Sequence, residues 1–135
     1  MIELKNDMNE IGRMAEELER YCDEEQLPMK TGLELNLVLE ELVTNIISYG
    51  YEDEAEHLIT IDIIRDEDTL NIKVVDDGAA FNPLEAPPPL MSENIDDLEP
   101  GGLGIHLVKK LTDEAVYSRE GDLNILTMKK IVPHV

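Results

Sequence analysis

The chain holds 135 residues, 42% of them hydrophobic, with 11 Lys and Arg against 31 Asp and Glu and a net charge of −20. That length fits one domain over residues 1–135 with a core of useful size, and the charge argues against nucleic acid or an anionic membrane as partner, because both are held by clustered cations. Cys22 has no second cysteine to pair with, no apolar run reaches the roughly 18–20 residues of a membrane span, and the first ten residues lack a basic-then-apolar leader, so the expected location is cytoplasmic.

In chain order, residues 7–25 predict an amphipathic helix, with Met8, Ile11, Met14, Leu18 and Tyr21 spaced by three or four and acids between them. Asp7 is the expected N-cap, with Glu10 completing a capping box. Pro28 and Gly32 break the pattern, and residues 30–49 form a second helix, apolar on more than one side and closed by Gly50. The period then changes to alternation, which predicts strands over 58–65 and 70–76 joined as a hairpin. Residues 82–100 carry five of the seven prolines and read as a long loop. A third helix over 102–112 follows, then strands over 114–119 and 122–130 around Gly121 and Asp122. The order predicts an α+β two-layer sandwich: a mixed, mainly antiparallel sheet with about three helices on one face.

Three segments bear chemistry, and each has a plain reading beside the functional one. Glu41 and Asn45 lie four apart on one face of the second helix, among apolar neighbours. They are either exposed or interhelical polar groups, or a proton acceptor beside a neutral oxygen ligand suited to Mg²⁺. Asp76 and Gly78 end a strand. They form an ordinary turn, or a carboxylate for an exocyclic amine with a glycine that allows close approach or positive φ. Gly101, Gly102 and Gly104 lead into the third helix, as a hinge or as backbone N–H groups for phosphate at the positive end of a helix dipole. His106, His57 and His134 stand singly and give no metal signature.

Taken together, E-L-V-T-N, D-D-G and G-G-L-G in this order make the chain resemble the Bergerat-fold ATP-binding domain of the histidine-kinase, gyrase and MutL superfamily. Within it, the chain looks most like the anti-sigma-factor serine/threonine kinases of the RsbW and SpoIIAB type, including Gly50-Tyr51 after the second helix and a G-L-G-I-H-L-V helix start. The resemblance implies specific roles. Glu41 is the general base toward a Ser or Thr hydroxyl, and Asn45 the Mg²⁺ ligand. Asp76 and Gly78 hold adenine, with Ala80 in the same box. Gly102, Leu103 and Gly104 hold the ATP phosphates, residues 82–100 are the ATP lid, and Thr127 is the threonine of the last strand. The implied partners are a STAS-domain anti-anti-sigma protein, a sigma factor, and a second copy of the chain.

Two features depart from that pattern. Ala80 stands where the box carries its second glycine, and between Val74 and Val108 there are seven acids and no Lys or Arg. They keep open an alternative in which the chain is a nucleotide-binding or partner-binding regulatory module with little phosphotransfer.

Overall fold

The computed structural model describes residues 1–85 and 108–133. It contains strand β1 (Ile2–Lys5), helices α1 (Glu10–Glu24) and α2 (Met29–Tyr49), strands β2 (Leu58–Asp66) and β3 (Thr69–Asp76), and a 3₁₀ turn at Pro83–Glu85. Strands β4 (Glu114–Glu120) and β5 (Leu123–Ile131) complete it. Residues 108–111 are helical; the rest of the helix expected over 102–112, and the part of the expected lid from residue 86 to 100, lie outside the described residues.

The strands form one sheet in the order β1-β2-β3-β5-β4, antiparallel at each pairing. Both expected hairpins are present. The turn between β2 and β3 places Glu67 at φ 54°, and that between β4 and β5 places Gly121 at φ 60°, where glycine carries no steric penalty. β1 was not expected. Among the described residues it pairs only with β2, from Ile2 opposite Ile61 to Lys5 opposite Leu58, and sends Leu4 fully into the core.

The alternation of the strands puts Ile59, Ile61, Leu70, Ile72, Val74, Leu126 and Met128 on the helix-facing side. There they meet Met14 and Leu18 of α1 and Leu35, Val38, Leu39, Leu42 and Val43 of α2 in one cluster. Each such side chain contributes about 1.5–3 kcal/mol through the apolar area it removes from water. α2 is less enclosed than its composition predicts, since Leu33 and Leu37 remain exposed. The start of α1 also differs from expectation. Asp7 accepts the Asn9 N–H at 2.9 Å, but Glu10 accepts the N–H of Lys5 rather than that of Asp7, and so ties the helix to β1. Among the described residues, no helix is long and apolar enough to cross a membrane.

Candidate functional site

Glu41 and Asn45 stand one turn apart on α2, both half-buried. The Asn45 amide nitrogen donates to the Glu41 backbone oxygen at 2.8 Å and to Glu41 Oε1 at 3.3 Å. The amide is therefore held with its nitrogen toward Glu41. Its oxygen accepts no hydrogen bond among the described residues. A neutral oxygen left open beside a carboxylate suits Mg²⁺, which takes one or two protein oxygens and draws its other ligands from phosphate and water. No cluster of three or more His, Cys, Asp or Glu ligands occurs among the described residues.

The end of α2 rests on the turn that follows β3. The Ala79 N–H donates to the Gly50 carbonyl at 2.7 Å. A Cβ on Gly78 would lie 2.7 Å from that same carbonyl oxygen and 2.9 Å from Asp76 Oδ1. Close approach, not positive φ, is what requires glycine at 78. Only Gln26 and Glu67 take positive φ among the described non-glycine residues, so Ala80 occupies its place without backbone strain.

Asp76 is buried at the end of β3, and burial pushes its carboxyl above the usual carboxylate range while hydrogen bonds from Asn124 and Gly78 oppose the shift. Both bonds fall on Oδ1, from the Gly78 N–H at 2.9 Å and Asn124 Nδ2 at 3.0 Å. Asn124 also donates to the Ala79 carbonyl at 2.9 Å, and Arg119 of β4 donates to the Gly78 carbonyl at 2.8 Å. This corrects the place given to Thr127. In the register of β3 and β5, Asp76 lies opposite Asn124, whereas Thr127 lies opposite Lys73 and is exposed. The two residues have opposite parity on β5, so the structure brings Asn124 to Asp76 and leaves Thr127 on the face turned away from the helices.

The segment after α2 adds a group that the sequence did not single out. His57 bridges two carboxylates, Asp53 at 2.7 Å through Nε2 and Asp77 at 3.1 Å through Nδ1, and both bonds raise its affinity for a proton. Tyr51 stacks on the His57 ring with centroids 4.3 Å apart. The Tyr51 hydroxyl is buried with no hydrogen-bond partner among the described residues, and burial, reinforced by Asp76, Asp77 and Asp53, pushes its ionisation upward. Asn124 carried only a weak signal, because the alternation of β5 does not separate polar from apolar positions. His57 had none. Gly102, Leu103 and Gly104 lie outside the described residues, so α2, the turn at 76–80 and the β4–β5 hairpin make up the described site.

Over 94 residues the chain is 28% identical to the serine/threonine-protein kinase BtrW of Bordetella bronchiseptica, covering 70% of this chain and 66% of that one. Over 82 residues it is 35% identical to an anti-sigma F factor of Bacillus cereus, covering 60% and 56% respectively. The matched segments thus span between half and two thirds of those relatives. The structure superposes on the RsbU and RsbW domains of Rv1364c from Mycobacterium tuberculosis with a TM-score of 0.64 at 13% identity, over 98% of this chain and 33% of that one. A blue-light activated histidine kinase of Erythrobacter litoralis gives a TM-score of 0.57 at 20% identity, over 78% of this chain and 32% of that one. At such identities the two superpositions speak for the fold. The sequence profile of the histidine kinase-like ATPase domain matches residues 4–130, and with nearly the whole chain inside that match the protein belongs to the histidine kinase-like ATPase domain family.

Proposed function

We propose that the protein is an ATP-dependent serine/threonine-protein kinase of the anti-sigma type, which phosphorylates a STAS-domain partner and sequesters a sigma factor or equivalent regulator. The observation that carries this reading is the open Asn45 oxygen beside Glu41, on a helix whose end rests on the Asp76–Gly78 turn. A scaffold without chemistry has no physical need for a proton acceptor next to a metal ligand. The names of the two curated relatives support the same class of activity.

In this reading Asn45 Oδ1 is the protein ligand of Mg²⁺, which when bound offsets the negative charge of the ATP phosphates. Asp76 accepts a hydrogen bond from the adenine amine, with Gly78 leaving room for the base. Gly102, Leu103 and Gly104 hold the phosphates through backbone N–H groups. Glu41 takes the proton from the partner's Ser or Thr hydroxyl as its oxygen bonds to the γ-phosphorus, and the bond from that phosphorus to the bridging oxygen breaks to release ADP. Such transfer rests on positioning and charge neutralisation. The protein acts in the cytoplasm, as a single domain that pairs with a second copy of itself.

Calorimetry and a radiolabelled transfer assay separate the parts. Wild-type protein should bind ATP only with Mg²⁺ present, and Asn45→Ala should remove that binding. Glu41→Ala should retain ATP and lose transfer to a STAS protein of the same genome by about 10²-fold or more, the scale of general-base catalysis. No heat with ATP and Mg²⁺ would end the nucleotide reading. Binding without transfer by the wild type would instead favour a regulatory module, the outcome to which the acidic, cation-free run from Val74 to Val108 points.

A further inference from the structure

We propose that Asn124, with its amide oriented by Tyr117, is a positioning residue that presents Asp76 to the base and so sets the protein's preference for adenine. The inference rests on the adenine role given to Asp76 above and extends it to residues of the β4–β5 hairpin.

The hydrogen bonds around Asn124 admit one orientation of its amide. On one side lie three acceptors, Asp76 Oδ1 at 3.0 Å, the Ala79 carbonyl at 2.9 Å and the Gly78 carbonyl at 3.4 Å. On the other lie the backbone N–H of Phe81 at 3.4 Å and the Tyr117 hydroxyl at 2.6 Å. A backbone N–H can only donate, so the side-chain oxygen must face Phe81 and the nitrogen must face Asp76. The Tyr117 hydroxyl therefore donates to Asn124 Oδ1, and its short contact fixes the plane of the amide.

The consequence falls on Asp76. Its Oδ1 is engaged twice, by Asn124 and by the Gly78 N–H, and Oδ2 accepts no hydrogen bond among the described residues. The carboxylate cannot rotate without breaking two bonds in a buried site, where an unmade bond is expensive. Oδ2 is thus the oxygen offered to a ligand. An ionised carboxylate only accepts, so a 6-amine is favoured, while the 6-oxo group of guanine brings a second acceptor against it. Asn124 also bonds the Ala79 carbonyl, so one side chain holds both the carboxylate and the turn beneath the base. Without it, Asp76 can turn Oδ2 away and lose its selectivity while the rest of the site stands.

The test compares affinities for ATP and for purine riboside triphosphate, which lacks only the 6-amine, in Mg²⁺ by calorimetry. The wild type should prefer ATP by about 10- to 100-fold, as expected of a hydrogen bond to a charged acceptor. Asn124→Ala should reduce that ratio below about threefold, and Tyr117→Phe should give an intermediate ratio. General loosening of the fold weakens both ligands together and leaves the ratio in place. Tyr117→Phe removes a single hydroxyl and decides the matter if Asn124→Ala does not fold. A ratio unchanged in the folded variants, beside a wild type that discriminates, overturns the role of Asn124 and leaves the nucleotide reading intact. A wild type that binds neither ligand overturns both.

Discussion

At the scale of single residues, the site depends on one close approach. The absent Cβ of Gly78 is what lets the turn meet the Gly50 carbonyl, and that contact in turn carries the Ala79 N–H bond. Gly78→Ala must move backbone, not a flexible side chain, so the expected cost is about 1–3 kcal/mol, read from chemical denaturation. Ala80→Gly is the control. Ala80 is exposed at ordinary φ, so a glycine there acts through the unfolded chain and should cost only about 0.4–1 kcal/mol. Equal effects at the two positions would show that the Gly50 contact is not what demands glycine. His57 makes a pH-dependent contribution nearby. Its proton affinity is raised by Asp53 and Asp77, so the folded state holds the proton more tightly than the unfolded chain does. That stability is complete below the unfolded value of about 6.5 and disappears as pH rises through the folded value. Asp53 is lowered by the same bond, and its share is lost as pH falls into the carboxylate range. The clamp is therefore strongest in weakly acidic solution. Hydrogen exchange at residues 51–57, corrected for base catalysis, should accelerate above neutral pH in the wild type, and His57→Gln should abolish that pH dependence.

At the scale of elements, the joint of interest is where β5, α2 and the helical residues 108–111 meet. Lys130 lies on the inward face of β5, and its ammonium donates to Glu34 of α2 at 2.6 Å and to the Leu111 carbonyl at 2.7 Å. The Lys130 side chain is 6% exposed and that of Glu34 23%, so removing one partner strands a charge away from water. Lys130→Met should cost about 3–5 kcal/mol, and the double change with Glu34→Leu should recover most of it. A thermal-melt double-mutant cycle with simple additivity would refute the pairing. This joint also shows what could be read from the sequence. Period and the breakers around it located α1, α2 and the two hairpins, because each spans enough residues to show a pattern between its turn signals. β1 escaped because four residues show the alternation barely twice, and its partner strand is distant in the chain. The parity of β5 was the subtler matter. Its outward face carries Ile125 and Ile131 while its inward face carries Asn124 and Lys130, so polarity does not mark the faces. Thr127 was placed by resemblance and Asn124 missed for that single reason. That Glu41 lies beside Asn45, and Asp76 beside Gly78, was legible because a local spacing defines each pair, whereas His57 meets Asp77 only through the fold.

At the scale of the whole molecule, the net charge of −20 sets a condition on any anionic ligand. ATP approaching such a surface is repelled over distances set by the Debye length, about 30 Å at 0.01 M salt and about 8 Å at 0.15 M. The contacts proposed to hold it, Asn45 through Mg²⁺ and the backbone N–H groups of the glycine segment, act at short range and are screened far less. Salt should therefore act on capture more than on retention. With Mg²⁺ held constant and saturating, the association rate of a fluorescent ATP analogue in stopped flow should rise several-fold between those two salt concentrations and then level off, while the dissociation rate changes little. A nucleotide site fed by a basic funnel behaves in the opposite way, losing association rate as salt increases. A falling rate here would mean that the local field is set by cations such as Arg119, Lys109 and Lys110 against the sign of the whole. A rising rate would mean that the acids dominate at a distance, and that neutralisation of the triphosphate is left to the metal and the backbone at the site itself.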